Sequence, residues 1–431
     1  MNKWGKTLAA ALISATALTA SGGQAATAAT SVKPVTVLLD DVAMSFDGIQ
    51  AQIKSNITFV PFRSIAEAMG IDIQWNAKLR RITATGQVNG QATTVVLDVG
   101  KITATVNGKS VKLIAAPYTM NDRTLIPLNF FSTQFGAKVG WDGTTRTVSI
   151  VSPLREMYLR GFYAISSFAE RAHIDEMNSV AFGWARLDAN GELTTSGKDF
   201  YWPPAATDAS PESIVSGASA EGIAPYLMVF AVDGSDELTK MLSDPALRDR
   251  SIDGILKLAK EKGFGGVQLD FEGLGLRDNA PEQRKLFNDY VSLLASKLKP
   301  EGLKLSLAVP PPNGAYKGYD YATLAGLADD LVVMAYAYHP AGTPNHTPQP
   351  NAKVEAAITG LLKAGVPKEK LILGIDLWSE TPQTIDDKLG LAKRYALKGA
   401  AFWRIGLYSY YGQEMTDTIN RSVVKLTTVS N

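Results

Sequence analysis

"GGVQLDFEG", Gly265 to Gly273, is the stretch on which the reading of this chain turns. Val267, Leu269 and Phe271 alternate with Gln268, Asp270 and Glu272, the period of two that belongs to a β-strand with unlike faces. A strand buried on both sides normally carries Val or Ile throughout. Here one face is apolar and the other presents an amide and two acids. If the apolar phase meets a layer of helices, the polar phase points into a closed sheet. Two neighbouring buried carboxylates are costly to satisfy as structure alone. The pair therefore reads as chemistry.

Seven further apolar runs surround this one: "MYLRGFYAI", "SVAFGWARL", "GIAPYLMVF", "LKLSLAVP", "DLVVMAYAY", "LILGIDLW" and "GAAFWRIG". Amphipathic stretches such as "SIDGILKLAKEKG" and "APEQRKLFNDYVSLLASKLKPEG" separate several of them. Eight strands in residues 153–425 have the size and rhythm of a (β/α)₈ TIM barrel. A doubly wound open sheet is the alternative, but no glycine-rich dinucleotide fingerprint follows the first strand. In a barrel, Glu272 would stand highest at the C-terminal mouth and Asp270 one layer below it. Tyr226 and Met228 on the third strand read as barrel filling.

Residues 33–152 have a different grammar. "NITFVPFRSIAEAMGIDIQWNAKLRRITAT" from Asn56 lines up with "DRTLIPLNFFSTQFGAKVGWDGTTRTVSI" from Asp122, matching Pro61 to Pro127, Gly70 to Gly136, Trp75 to Trp141 and Ile82 to Val148. Each copy predicts a strand, a helix opened by proline, a glycine stop and a hairpin containing the Trp. This smaller β-rich α+β domain reads as a stalk, spacer or cell-wall contact, with Arg80 and Arg81 as solvated edge residues. It resembles the copper amine oxidase N-terminal-like domain. Copper does not follow from that resemblance, because His173, His339 and His346 all lie elsewhere.

The bulk properties bound the function. The chain has 431 residues, 45% hydrophobic and 20% charged, with a formal net charge of +1, so nothing draws it to nucleic acid or an anionic membrane. Cysteine is absent, which removes thiol nucleophiles and thiolate metal sites. Lys3 and Lys6, the apolar run from Thr7 to Ala20 and the small residues of "SGGQAATAAT" have the layout of a secretory signal peptide over residues 1–28. The expectation is a secreted or wall-associated bacterial protein with no membrane span after processing. No cofactor and no metal site is expected. The loop "HPAGTPNHTPQPN" reads as a solvated rim, since its two histidines lack ligand spacing.

The barrel strands resemble glycoside hydrolase family 18, whose fourth-strand signature is D-x-x-D-x-D-x-E. Its last two acids fall on Asp270 and Glu272. The resemblance implies retaining hydrolysis of β-linked N-acetylglucosamine glycans, such as peptidoglycan or chitin, without an enzymic nucleophile. Glu272 would protonate the glycosidic oxygen, and Asp270 would orient the substrate's acetamido group, whose carbonyl attacks the anomeric carbon. "LVVMAYAYH" resembles the sixth-strand motif, making Tyr336 the partner of the acetamido carbonyl. "AAFWRIG" resembles the eighth-strand motif, making Trp403 the floor under the sugar. Further substrate-binding candidates are Gln268, Asp376, Trp378, Tyr201 and Trp202. Gly265 and Gln268 stand where the first two signature acids would be, and Ala337 replaces the acid after the sixth-strand Tyr. The resemblance also implies that an amide at Gln268 is compatible with activity in peptidoglycan-directed members. A carbohydrate-binding relative without turnover is the alternative reading, although such relatives typically lose the acid itself.

Overall fold

A computed structural model describes residues 34–427 except 89, 166 and 278. The expected signal peptide lies outside the described residues. The repeat domain and the barrel fall within one compact unit.

Eight parallel strands close the barrel: β1 (Arg155–Tyr163), β2 (Ser179–Leu187), β3 (Ala224–Val232), β4 (Gly266–Glu272), β5 (Lys304–Val309), β6 (Asp330–Val333), β7 (Leu371–Asp376) and β8 (Gly399–Trp403). Each pairs with the next, and β8 returns to β1. Helices follow the strands, including Pro245–Glu261, Ala280–Leu298, Asn351–Lys363 and Pro382–Arg394. Between β1 and β2 a 3₁₀ segment, Phe168–Glu176, stands in for the helix. No helix among the described residues is long and apolar enough to cross a membrane.

The alternation seen in "GGVQLDFEG" sorts the two faces. Val267, Leu269 and Phe271 are fully buried in the layer between strands and helices, each such side chain contributing roughly 1.5–3 kcal/mol. Gln268, Asp270 and Glu272 take the opposite phase. A second apolar cluster fills the barrel, with Phe162, Ala181, Tyr226, Met228, Val332, Ile372 and Ala401. Tyr226 and Met228 are thus barrel filling, as their sequence context suggests.

In the repeat domain the two copies have the same elements. Ile57–Pro61 leads into helix Phe62–Ala68, and Arg123–Pro127 leads into helix Leu128–Gln134. Both helices are capped by the proline, and Gly70 and Gly136 follow them at φ +69° and +80°, the left-handed conformation that ends a helix. The copies meet through antiparallel strands, Val60 opposite Ile126. The domain lies against the flank of the barrel. Arg394 on helix Pro382–Arg394 donates to the carbonyls of Leu39 and Val42 at 3.2 and 2.9 Å. Buried Asp40 accepts from the Ser152 amide and hydroxyl, both at 2.7 Å.

Candidate active site

The inward phase of β4 rises through two different environments. At the lower level, Gln268 is level with Met228 on β3 and Ser306 on β5. Asp270 is one step higher, beside Phe230 and Ala308, and Glu272 ends the strand beside Val232. This order agrees with the sequence expectation, with Glu272 at the mouth.

The lower level is stitched together. Arg160 on β1 is fully buried and donates to both carboxylate oxygens of Asp330 at 3.0 and 3.3 Å. It also reaches the Ser179 hydroxyl at 2.9 Å, the Ser306 hydroxyl at 2.5 Å and the Gln268 carbonyl oxygen at 3.3 Å. Lys398 adds a 2.6 Å bond to Asp330. Burial would raise Asp330, but Arg160 and Lys398 outweigh it and hold the carboxyl below its ordinary range.

The upper level has no such compensation. Asp270 is buried, and its Oδ1 has no hydrogen-bond partner among the described residues. Burial, together with the charge of Glu272, pushes its carboxyl well above the usual range. Burial likewise raises Glu272. The two titrate as a pair. The pair therefore retains a proton at pH values where exposed carboxyls have lost theirs, which suits proton donation near neutrality.

Tyr336 stands just past β6, whose strand stops at Val333, earlier than the apolar run "DLVVMAYAY" suggests. Burial raises its hydroxyl well above the ordinary value, and the charges of Asp270, Glu272 and Asp376 add to the effect. These four groups therefore share one electrostatic site. Gly374 makes room for the ring, since a Cβ there would lie 3.3 Å from Tyr336 Cε1 and 2.6 Å from the Val333 carbonyl. Ala337 turns away from the strand at φ +59° and is exposed.

Trp403 is half-buried at the end of β8, in register with Asp376 on β7. Its ring meets Phe162 at 5.4 Å and Phe200 at 6.2 Å. Asp376 accepts from the Trp378 amide at 3.0 Å and the Ser379 hydroxyl at 2.6 Å. Burial nonetheless raises its carboxyl. Trp378 is 38% exposed at the mouth. Tyr201 is also exposed, on a pocket of about 290 Å³ beside the ends of β1 and β2.

Two candidates are placed differently from expectation. Gln268 is fully buried beneath Asp270, and its carbonyl oxygen is held by Arg160. It supports the floor and cannot touch a glycan. Among the described residues its Nε2 has no partner, and no hydrogen bond joins it to Asp270. Trp202 packs edge-on to Trp184 at 5.2 Å, near Phe264 at 6.3 Å and with Lys262 over its ring at 4.8 Å. It belongs to the outer layer, because an indole between two aromatic rings buries more surface there than in the cleft.

Other residues at the mouth were not singled out from sequence. Phe200 stacks on Phe230 at 4.1 Å and closes over the barrel interior. Tyr319 donates to the Phe271 carbonyl at 2.6 Å, fixing the strand between the two acids. Arg404, next to Trp403, is close enough to Asp376 to oppose the rise of its carboxyl. His346 is no solvated rim residue, for it stacks on Tyr410 at 4.7 Å and tilts against Trp378 at 4.9 Å. His339 bonds instead to the Pro348 carbonyl at 3.0 Å. Among the described residues, no group of three or more His, Asp or Glu is placed to hold a metal ion.

The fold and site define a (β/α)₈ barrel with a coupled acid pair at the mouth of its fourth strand, an arrangement at home among barrel enzymes. Residues 161–380 match the model of the glycosyl hydrolases family 18, just over half of the chain, and the chain belongs to that family. Residues 38–150 match the copper amine oxidase N-terminal domain. That segment contains none of the three histidines, so its donor set does not fit copper. The cortical fragment-lytic enzyme of Bacillus subtilis is 28% identical over 151 residues, covering 33% of this chain and 34% of that protein. The chain thus spans about a third of the length of the curated relatives it matches first. The spore cortex-lytic enzyme SleL of Bacillus cereus superposes with a TM-score of 0.52 at 17% identity, covering 64% of this chain and 77% of that one. The chitinase of Chromobacterium violaceum gives 0.50 at 18% identity, covering 61% and 99%. At these identities the superpositions establish the fold.

Proposed function

We propose that this protein is an exported retaining glycosidase that cleaves β-linked N-acetylglucosamine glycans by substrate-assisted catalysis, with wall or spore peptidoglycan ahead of chitin. One observation carries the reading. Asp270 is buried and Glu272 half-buried at the barrel mouth, both with raised carboxyls, and the Tyr336 hydroxyl lies in the same field. Glu272 gives its proton to the glycosidic oxygen as the bond to the anomeric carbon breaks. The acetamido carbonyl oxygen attacks that carbon from the opposite face and forms a cyclic oxazolinium. Asp270 holds the amide N–H and offsets the developing positive charge, while Tyr336 donates to the carbonyl oxygen. The Glu272 carboxylate then takes a proton from water, which opens the ring with retention.

Trp403 offers its indole to the apolar face of the pyranose. Asp376 lies on the Tyr336 side of the cleft, where Ala337 supplies no acid. Trp378 and Tyr201 extend the cleft along the glycan. The preference for peptidoglycan rests on the similarity to the cortical fragment-lytic enzyme and on the amide at Gln268. The basic and apolar N-terminal segment supports export, and wall contact is assigned to the repeat domain.

The test is incubation of the full chain with peptidoglycan and with chitin oligomers, reading products by mass. The expected products end in reducing N-acetylglucosamine, and an analogue with hydroxyl in place of acetamido at the cleaved sugar resists hydrolysis. Cleavage of that analogue at the native rate would rule out substrate assistance. Saturable binding with no cleavage of either polymer would favour a carbohydrate-binding protein.

A further inference from the structure

The repeat domain contains a groove of about 740 Å³ that the catalytic reading does not use. It opens between the second-copy hairpin and the strand that enters the first-copy helix. Trp141 lies on it with 49% of its surface exposed, and Ile114 with 77%. An exposed indole beside an exposed isoleucine forms an apolar platform that a folded domain does not need for its own core. Asn56 and Asn129, both exposed, add side-chain amides, and exposed Lys112 adds positive charge. No Asp or Glu is among the described residues that line it. The first copy carries Arg63 and Ser64 where the second has Asn129 and Phe130, and Arg63 is committed to Glu67. The first-copy positions that correspond to Asn129 and Phe130 thus offer different side chains.

We propose that this groove binds the sugar backbone of an anionic, N-acetylated wall glycan, at a site separate from the catalytic cleft. A pyranose has an apolar C–H face that lies flat on an indole, while its hydroxyl and acetamido groups need amide partners at the edge. The volume falls within the range of about 300–1,000 Å³ typical of small-ligand sites. Lys112 complements a carboxylate on the glycan, such as that of a lactyl ether or a stem peptide, and a neutral polymer lacks one. Because the domain is held against the barrel by Arg394 and by the pairing of Lys393 with Asp40, a strand held in the groove is presented to the barrel at raised local concentration. The proposal takes its class of polymer from the glycosidase reading, but the groove binds or fails to bind whether or not the barrel turns over.

Sedimentation with insoluble peptidoglycan and with chitin tests it, using the full chain in a Glu272→Gln background to prevent degradation. Trp141→Ala is expected to weaken peptidoglycan binding by about tenfold without changing the melting temperature or, in the otherwise native chain, hydrolysis of a short soluble oligomer. Lys112→Glu, which replaces an exposed side chain, is expected to weaken peptidoglycan binding and leave chitin binding unchanged. Native affinity for peptidoglycan in both variants would overturn the proposal. So would a change confined to oligomeric mass, which would make the groove a contact between copies. Equal losses on both polymers for Lys112→Glu would overturn the choice of an anionic strand. Loss of soluble-oligomer hydrolysis by the unmodified chain would refute the catalytic reading and leave the groove untouched.

Discussion

The lower and upper halves of the barrel interior are built from the same strands, yet they handle buried charge in opposite ways. Below, Arg160, Asp330, Ser306, Ser179 and Lys398 satisfy one another. Above, Asp270 keeps an unpartnered oxygen and a raised carboxyl beside Glu272. The separation along β4 is a single step, from Gln268 to Asp270. The lower cluster spends its hydrogen bonds on the fold. The upper cluster leaves them open, as a site must when its partner arrives only with substrate. Gln268 stands between the two, with its oxygen on Arg160 and its nitrogen unbonded among the described residues.

Breaking the lower cluster is expected to cost the most stability. Arg160→Ala leaves Asp330 buried with only Lys398 and Ser306, and unfolding in urea should show a loss of about 3–5 kcal/mol. A value near zero would mean that the network is incidental. Altering the upper cluster should instead cost turnover. Asp270→Asn removes the charge that offsets the oxazolinium, and kcat should fall about 10²-fold, read on a soluble oligomer. Tyr336→Phe removes one hydrogen bond to the acetamido carbonyl, so a loss of about tenfold is expected.

The smallest effect is one of pH. The Asp270 carboxyl is raised in the folded protein, so the folded state holds its proton longer than the unfolded chain. Its contribution to stability is complete below the unfolded value and is lost as pH rises toward the folded one. Asparagine carries no such dependence. The melting temperature of Asp270→Asn relative to wild type should therefore be higher at pH 8 than at pH 4. An unchanged difference would mean that Asp270 ionises normally.

Much of the upper half was legible in the sequence, because period-two alternation assigns a face to each residue of a strand. Asp270 and Glu272 stood out as acids in a run otherwise suited to Val and Ile. The lower half was hidden by distance along the chain. Arg160 sits in "MYLRGFYAI" and Asp330 opens "DLVVMAYAY", and nothing local says that closure of the sheet brings them to 3.0 Å. Gln268 was misplaced for the same reason, since its partner could not be named. Trp202 was drawn to the cleft by its neighbour Tyr201, but side chains of adjacent residues need not share a surface. His346 read as solvated because its stacking partners, Trp378 and Tyr410, come from two other loops.

The most direct test of the unsatisfied upper half is Glu272→Gln, with glycan binding measured by calorimetry and hydrolysis measured on the same soluble oligomer. The account predicts that turnover falls by about 10²–10⁴-fold while the dissociation constant stays near that of wild type. Hydrolysis at the native rate would contradict it.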